Sequence, residues 1–312
     1  MIRRLRRFSQ QVLGINRRNH DLLARYNPRA LFQIVDNKVK TKEALTALGV
    51  PVVETLATYH YQHELQRFAD DTRDWREFVV KPAQGSGGGG VLIMTDRQGE
   101  MFETAGGRQL STRQLESHLS DILGGVFSLN QRYDDALVER RVHAHPSLTN
   151  LSYQGLPDLR ILVFRGIPLL AMLRLATKAS RGRANLHVGG IGVGIDLISG
   201  RTTAAIAGKH PIAAHPDHAC SLLGVQIPEW EEMLRIAARC ADAVALGYLG
   251  IDIVLDAQRG PLVLELNARP GLAIQLANRR GLRPLITAVE RLARTELSVT
   301  ERVRLGREII QL

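Results

Sequence analysis

Aromatic residues make up only 5% of this 312-residue chain, and cysteine occurs just twice. Proteins that hold single-stranded nucleic acid interleave stacking rings with basic side chains. The shortage of rings argues against that class, and none of the familiar nucleic-acid motifs occurs. Cys220 and Cys240 stand in apolar surroundings with no CxxC spacing, so two buried, reduced thiols in a cytoplasmic protein are expected rather than a disulfide framework. No apolar run approaches the ~20 residues that a membrane span requires, and no transmembrane segment is expected. The opening "MIRRLRRFSQQVLGINRRN" has a charged head, but its "VLGI" is too short for a signal-peptide core. It reads as part of the mature chain.

Positive charge, by contrast, is plentiful, with a formal net charge of +10 and an isoelectric point near 10.1. Such a surface suits nucleic acid, anionic lipid or acidic small substrates. Arg160, Arg174, Arg183 and Arg269 fall beside apolar, strand-like segments, which favours phosphate and carboxylate handling inside a cleft. With 45% hydrophobic residues the chain can bury a core large enough for two lobes.

Residues 1–35 read as a basic, partly amphipathic leader, with Ile2, Leu5, Phe8 and Val12 near helical spacing. Its arginines form either a solvated helix face or a dock for anionic membrane or a partner. "DNKVKTKEALTALGVPV" predicts a helix with Asp36 as N-cap, ended by Gly49 and Pro51. "EFVVKP" and "VLIMT" predict strands on either side of a run of glycines, "STRQLESHLSDILGG" a capped helix, and "ALVERRV" a strand leading out of a first lobe. Further on, "LRILVF" and "PLLAMLRLA" predict a hairpin around "RGIP". "PEWEEMLRIAARCADAVALG" predicts a long amphipathic helix, and "YLGIDIVLDAQRGPLVLELNARPGL" two strands joined at Gln258 to Gly260. Helix is expected from Gln275 on. Strands and helices mix without regular βαβ alternation, so the fold class is α+β with two lobes.

Gly85, Gly87 and Gly90 formally satisfy GxGxxG. The dinucleotide motif must run from strand into helix, however, and "VLIMT" is a strand former. No GK[ST] closes a phosphate loop of the other common kind. Strand–glycines–strand is instead the geometry of a flap over nucleotide phosphates, or of a flexible hairpin tip. Lys81, at the end of the apolar "FVV", tilts the balance towards the flap.

In "VLELNA" the period of two puts Glu265 and Asn267 on one strand face, and Asp252 in "GIDIVL" can face them from the adjacent strand. Two carboxylates and an amide in an apolar sheet are costly unless something positive lies there. Hard oxygen ligands point to Mg²⁺ or Mn²⁺. The competing account is a salt bridge with a nearby arginine such as Arg174 or Arg269.

Taken in order, "DNKVKTKEAL", "VVKPAQGSGGGGV", "ALVERRV", "GIDIVL" and "LELNARPGL" resemble the segments of the ATP-grasp superfamily across roughly residues 36–290. Within it, "DLRILVFRGIPLLAMLRLA" followed by "RANLHVGG" resembles the glutamate ligases that act on a ribosomal protein's tail and the related bacterial glutathione synthetases. The resemblance implies two α+β lobes clamping ATP: 36–139 with the flap, 140–290 with the metal site, and 291–312 as a helical tail. It implies phosphate contacts from Lys38, with Lys40 and Lys42 as competitors for that role, from Lys81, and from Gly85, Ser86, Gly87 and Gly88. The hinge at Glu139, Arg140 and Val142 would offer backbone groups to adenine. Arg160, Arg174 and Asn185 would stand near the γ-phosphate and acyl-phosphate, and Asp252, Glu265 and Asn267 would bind Mg²⁺.

The implied chemistry is attack of a substrate carboxylate on ATP and capture of the acyl-phosphate by an amine on an amino acid, peptide or protein terminus. A phosphotransferase and a non-catalytic nucleotide-dependent binding protein are the alternatives. Such ligases usually carry an α/β domain before the first lysine, where this sequence has about 35 residues. A protein partner, self-association or a large substrate is therefore expected to complete the site. Arg269 also departs from the pattern, reaching either a substrate carboxylate or Asp252. His187 faces substrate or shapes its turn. His143, His145, His210, His215 and His218 have no metal-ligand spacing and read as surface histidines.

Overall fold

The structure, a computed structural model, describes residues 10–85, 87–128, 131–293 and 296–312. Ile2, Leu5 and Phe8 of the leader lie outside them. The chain divides into two compact units. The smaller comprises Asn37–Val39 and Val53–Val142; the larger comprises the described part of Met1–Asp36, then Lys40–Val52 and His143–Leu312.

The smaller unit is built on β1 (Thr55–Tyr59), β2 (Phe78–Pro82), β3 (Leu92–Gln98), β4 (Met101–Thr104), β5 (Gln109–Ser111) and β6 (Ala136–Glu139). They form one antiparallel sheet in the order β1-β6-β2-β3-β4-β5. The helix Thr112–Leu123 begins as expected: Ser111 accepts from the Gln114 N–H while Gln114 returns a bond to the Ser111 N–H. Its buried Leu115, Leu119 and Ile122 recur at helical spacing and pack with Phe78, Val80, Met94, Phe102 and Val138.

The larger unit carries β7 (Asp158–Phe164), β8 (Ile167–Leu175), β9 (Ile191–Ile195), β10 (Thr202–Ala207), β11 (His210–Ile212), β12 (Tyr248–Asp256) and β13 (Gly260–Asn267). Their order is β11-β10-β9-β8-β7-β12-β13, antiparallel throughout. Both predicted hairpins are present. The β7–β8 turn is Arg165–Gly166, both with positive φ, the twist-matched geometry of a two-residue loop.

Alternation along the strands sorts this sheet into two faces. Leu159, Ile161, Val163, Leu173, Ile251 and Ile253 join the helix Trp230–Val244 in one core. Leu162, Phe164, Leu170, Met172 and Tyr248 point the other way and meet Leu13, Leu22, Ile274, Leu282 and Leu285. The leader is thus partly core. The Gln275 side chain fixes it, accepting from the Leu13 N–H at 2.8 Å and donating to the Leu13 carbonyl at 3.1 Å.

The helix Lys38–Ala47 starts one residue later than its expected cap. Asn37, not Asp36, accepts from the Val39 N–H, at 2.9 Å, because Asp36 is drawn into an ion pair with Arg269. Gly49 ends the helix with φ +64. Among the described residues no helix is long and apolar enough to cross a membrane.

Candidate active site: a glycine hairpin and a buried ionic row

In the smaller unit, β2 and β3 pair directly through Val80 and Leu92, so the glycine segment is the loop of a hairpin. Gly87, Gly88 and Gly90 all have positive φ, and a Cβ on Gly90 would lie 2.6 Å from the Phe127 ring. Glycine is required at Gly90 on both counts. Ser86 lies outside the described residues. The loop's near end is pinned by Asp134, which is buried and accepts from the Gln84 N–H at 3.0 Å and the Ser128 hydroxyl at 2.7 Å. Lys38 donates from its amine to the Gly85 carbonyl at 2.8 Å. Of its two competitors, Lys42 is buried and Lys40 exposed.

Lys81 and Glu139 form an ion pair at 2.6 Å, with side chains only 7% and 3% exposed. A buried pair of this kind is held because removing either partner strands the other's charge. Glu139 therefore contributes its side chain as the counter-ion of Lys81, besides pairing in register with Thr55 and Val79. The next residue is already engaged: the Arg140 N–H donates to the Glu54 carbonyl at 3.0 Å and its guanidinium to the Glu54 carboxylate at 2.8 Å. Val142 is half-buried.

In the larger unit a row of charge crosses four strands on the face that also carries Leu162 and Met172. Asp158 of β7 is directly paired with Arg174 of β8, Arg160 of β7 with Asp252 of β12, and Asp252 with Glu265 of β13. Arg160 grips Asp252 with two parallel bonds of 2.7 and 2.6 Å. Arg174 donates to Asp252 at 2.6 Å and to Asp158. Burial pushes the Asp252 carboxyl up, but the guanidiniums of Arg160 and Arg174 more than reverse it and hold it well below the usual range. Burial likewise dominates at Asp158, which has less compensation and is pushed up to about 6. Burial opposes the charge on Arg174, yet Asp158 and Asp252 raise its value further.

Asn267 lies beside this row, its amide donating to Asp252 at 3.2 Å and to Glu265 at 3.3 Å. The three expected metal ligands therefore converge. The salt bridge proposed as their competitor is present too, made by Arg160 and Arg174; Arg269 pairs with Asp36 at 2.7 Å and stacks over Phe32. Among the described residues no three acidic, histidine or cysteine side chains cluster as a metal site. The donors fit a hard cation through Glu265 and the Asn267 amide, with Asp252 already neutralised by arginine.

Asn185 caps its short turn, accepting from the His187 N–H at 3.0 Å, and His187 is exposed. His215 departs from the surface expectation. It is buried, its ring bonds the Ala176 carbonyl at 3.0 Å, and this fastens the segment that follows Arg174. Cys240 is buried and its thiol is pushed up by burial, whereas Cys220 is only half-buried.

Sequence reasoning missed Asp158, Asp134 and the side-chain role of Glu139. Asp158 had a readable signal: in "DLR" it shares the face of Arg160 by the period of two. The other two depend on pairings between distant segments.

A family model described as sugar-transfer associated ATP-grasp matches residues 17–291. Ribosomal protein bS6–L-glutamate ligase from Shigella boydii serotype 4 (strain Sb227) is 27% identical over 218 residues, covering 66% of this chain and 59% of that protein. The chain thus spans about three-fifths of that curated relative's length. Among solved structures, the ATP-grasp ligase PsnB complexed with minimal precursor is 16% identical, with a TM-score of 0.45, covering 85% of this chain and 62% of that one. The D-alanine–D-alanine ligase from Bacillus anthracis is 16% identical, with a TM-score of 0.43, covering 90% and 69%.

Proposed function

The chain belongs to the sugar-transfer associated ATP-grasp family, and from that premise we propose that it is an ATP-dependent carboxylate–amine ligase releasing ADP and phosphate. One observation carries the reading. Arg160 and Arg174 are each locked by buried carboxylates through Nε and Nη2, while Nη1 of each makes no hydrogen bond among the described residues. Two fixed guanidiniums with an uncommitted amino group, beside oxygen donors for a hard cation, suit a site where negative charge gathers.

In the proposed first step a substrate carboxylate oxygen attacks the γ-phosphorus of ATP and ADP leaves. An amine then attacks the acyl carbon, phosphate leaves, and the amine proton passes to solvent. The first step brings two anions together, so donors fixed before the reaction lower its barrier without reorganising. Arg160 and Arg174 take that role. Lys38 and Lys81 are assigned to the nucleotide phosphates, with the glycine hairpin approaching by backbone and excluding water. Glu265 and Asn267, with Asp252 behind them, would hold Mg²⁺ or Mn²⁺. Such an ion supplies charge neutralisation at the transferring phosphoryl group. The hinge Glu139, Arg140 and Val142 is assigned to adenine and Asn185 to the acyl-phosphate side of the site.

The amine and the acid are assigned to an amino acid, a peptide or a protein terminus; the Shigella relative is named for a ribosomal protein and L-glutamate. Cytoplasmic location fits two thiols outside any disulfide. The test is ADP and phosphate release with Mg²⁺ and ATP across pools of amino acids and peptides, with products followed by mass. A product one water lighter than acid plus amine supports the ligase. A stable phosphorylated product formed without an amine would replace it with a phosphotransferase.

A further inference from the structure

The larger unit holds an open recess, about 480 Å³ in volume, lined by Ile206, Gly208, Lys209, Pro211, Leu276 and Arg279. That volume is within the range of small-molecule pockets. Its walls are apolar, yet two cations stand on it, and among the described residues neither Lys209 nor Arg279 makes an ion pair.

Two backbone features present those cations. Gly208, with φ +59, turns β10 into β11 and leaves Lys209 at the turn. Arg279 itself has φ +48, a conformation that a non-glycine residue adopts only at a cost of order 1 kcal/mol or more. The strain is held by the surrounding bonds: the Asn278 amide donates to the Ala171 and Ile274 carbonyls at 2.9 Å, and the Arg280 N–H to the Gln275 carbonyl at 2.9 Å.

The recess lies on the same sheet face as the ionic row. Direct pairing runs from Arg174 to Gly192, from Gly192 to Ile206 and from Ile206 to Pro211. Ile206 is therefore two strand spacings, about 10 Å, from Arg174. Between them Leu186 and Ala277 close over Gly192, so the recess is a separate site.

We propose that it binds a soluble straight-chain aliphatic carboxylate, its tail on Ile206, Pro211 and Leu276 and its head on Lys209 and Arg279. A single negative head on an apolar tail satisfies both halves of the lining. A membrane surface suits it less, because Ile206 is buried and the apolar side chains of the lining open to solvent are Pro211 and Leu276 alone, the latter 44% exposed. The proposal goes beyond the ligase reading and stands apart from it.

The test is calorimetric titration of the intact protein with octanoate, octanol and octylammonium. One saturable octanoate site is expected, with octanol and octylammonium at least tenfold weaker. The double variant Lys209→Glu/Arg279→Glu is expected to weaken octanoate at least tenfold, and Leu276→Trp to block it by filling the recess, with melting temperatures unchanged. Equal binding of octanol, or full octanoate affinity in the double variant, overturns the proposal. So does binding to phosphatidylglycerol vesicles without binding to octanoate, which would make the patch a lipid contact.

Discussion

Asp158 and Arg174 are direct cross-strand partners on β7 and β8, and the same guanidinium reaches on to Asp252 at 2.6 Å. Arg174 is thereby held by two carboxylates from two different strands. Asp158 is the weaker holder electrostatically, pushed up to about 6, while Asp252 is held low by two arginines. Asp158 orients; Asp252 anchors.

Asp158→Asn keeps the shape but removes that charge. Arg174 retains Asp252, so the fold should survive. Turnover should fall by about 10- to 100-fold, the effect of misplacing one fixed donor, while KM for ATP changes little. Steady-state kinetics with ADP readout decides it; unchanged kcat would make Asp158 purely structural.

The same carboxyl sets a pH dependence. Its value is 3.8 outside the fold and about 6 within it. A raised acid favours the protonated fold, so this contribution is fully present below pH 3.8 and is lost as pH rises through about 6. Asp252 has the opposite sign, stabilising the fold above the ordinary carboxylate range and losing that contribution on acidification. Between about pH 4 and about pH 7 the native protein should lose up to about 3 kcal/mol relative to Asp158→Asn. Urea unfolding of both proteins across that range measures it, and a constant difference would place Asp158 at an ordinary value.

Lys81→Ala strands Glu139 in a buried site without its lysine, and should cost about 3–5 kcal/mol of stability. The double change Lys81→Met/Glu139→Gln should recover most of that stability. ADP formation should stay depressed in both. Recovery of activity along with stability would confine Lys81 to a structural role.

Glu265→Gln should lower turnover by about 100-fold or more, since the variant loses the one carboxylate of the row that makes no arginine salt bridge among the described residues. Nucleotide binding measured without divalent metal should be unchanged. A loss of binding there would show that Glu265 shapes the site instead of holding a cation.

Gly87→Ala and Gly90→Ala separate strain from collision. Both positions have positive φ, but a Cβ on Gly87 meets nothing within 4 Å, whereas one on Gly90 runs into Phe127. Gly87→Ala should cost about 1 kcal/mol and Gly90→Ala clearly more, with a larger rise in KM for ATP. Equal melting temperatures would argue that Phe127 moves freely aside.

The elements that announce themselves locally were legible in the sequence: the strands around the glycines, the Ser111 capping box, both hairpins and the helix Trp230–Val244. β1, β4, β5, β10 and β11 were not picked out, being short and lacking clean alternation. At the site, period two along "VLELNA" correctly brings Glu265 and Asn267 together. What no local pattern could supply was lateral pairing. That Arg160 and Arg174 each commit Nε and Nη2 to Asp252 and Asp158, that Glu139 meets Lys81, and that Asp36 is taken from its helix by Arg269 all depend on which strand or segment lies next to which.

The bonds between Gln275 and Leu13 join residues 262 positions apart. On a ribosome adding about 5–20 residues per second, Leu13 waits on the order of 13 to 50 s for that partner. Residues 53–142, whose contacts are mostly their own, emerge complete long before. Until β7 and β8 emerge, Leu13 and Leu22 meet none of Leu162, Phe164 and Leu170, and Gln275 closes on Leu13 later still, which leaves this stretch open to chaperones during synthesis. A truncation before Asp158 should leave Leu13 and Leu22 sensitive to protease on the nascent chain, while the glycine hairpin's sheet is already protected.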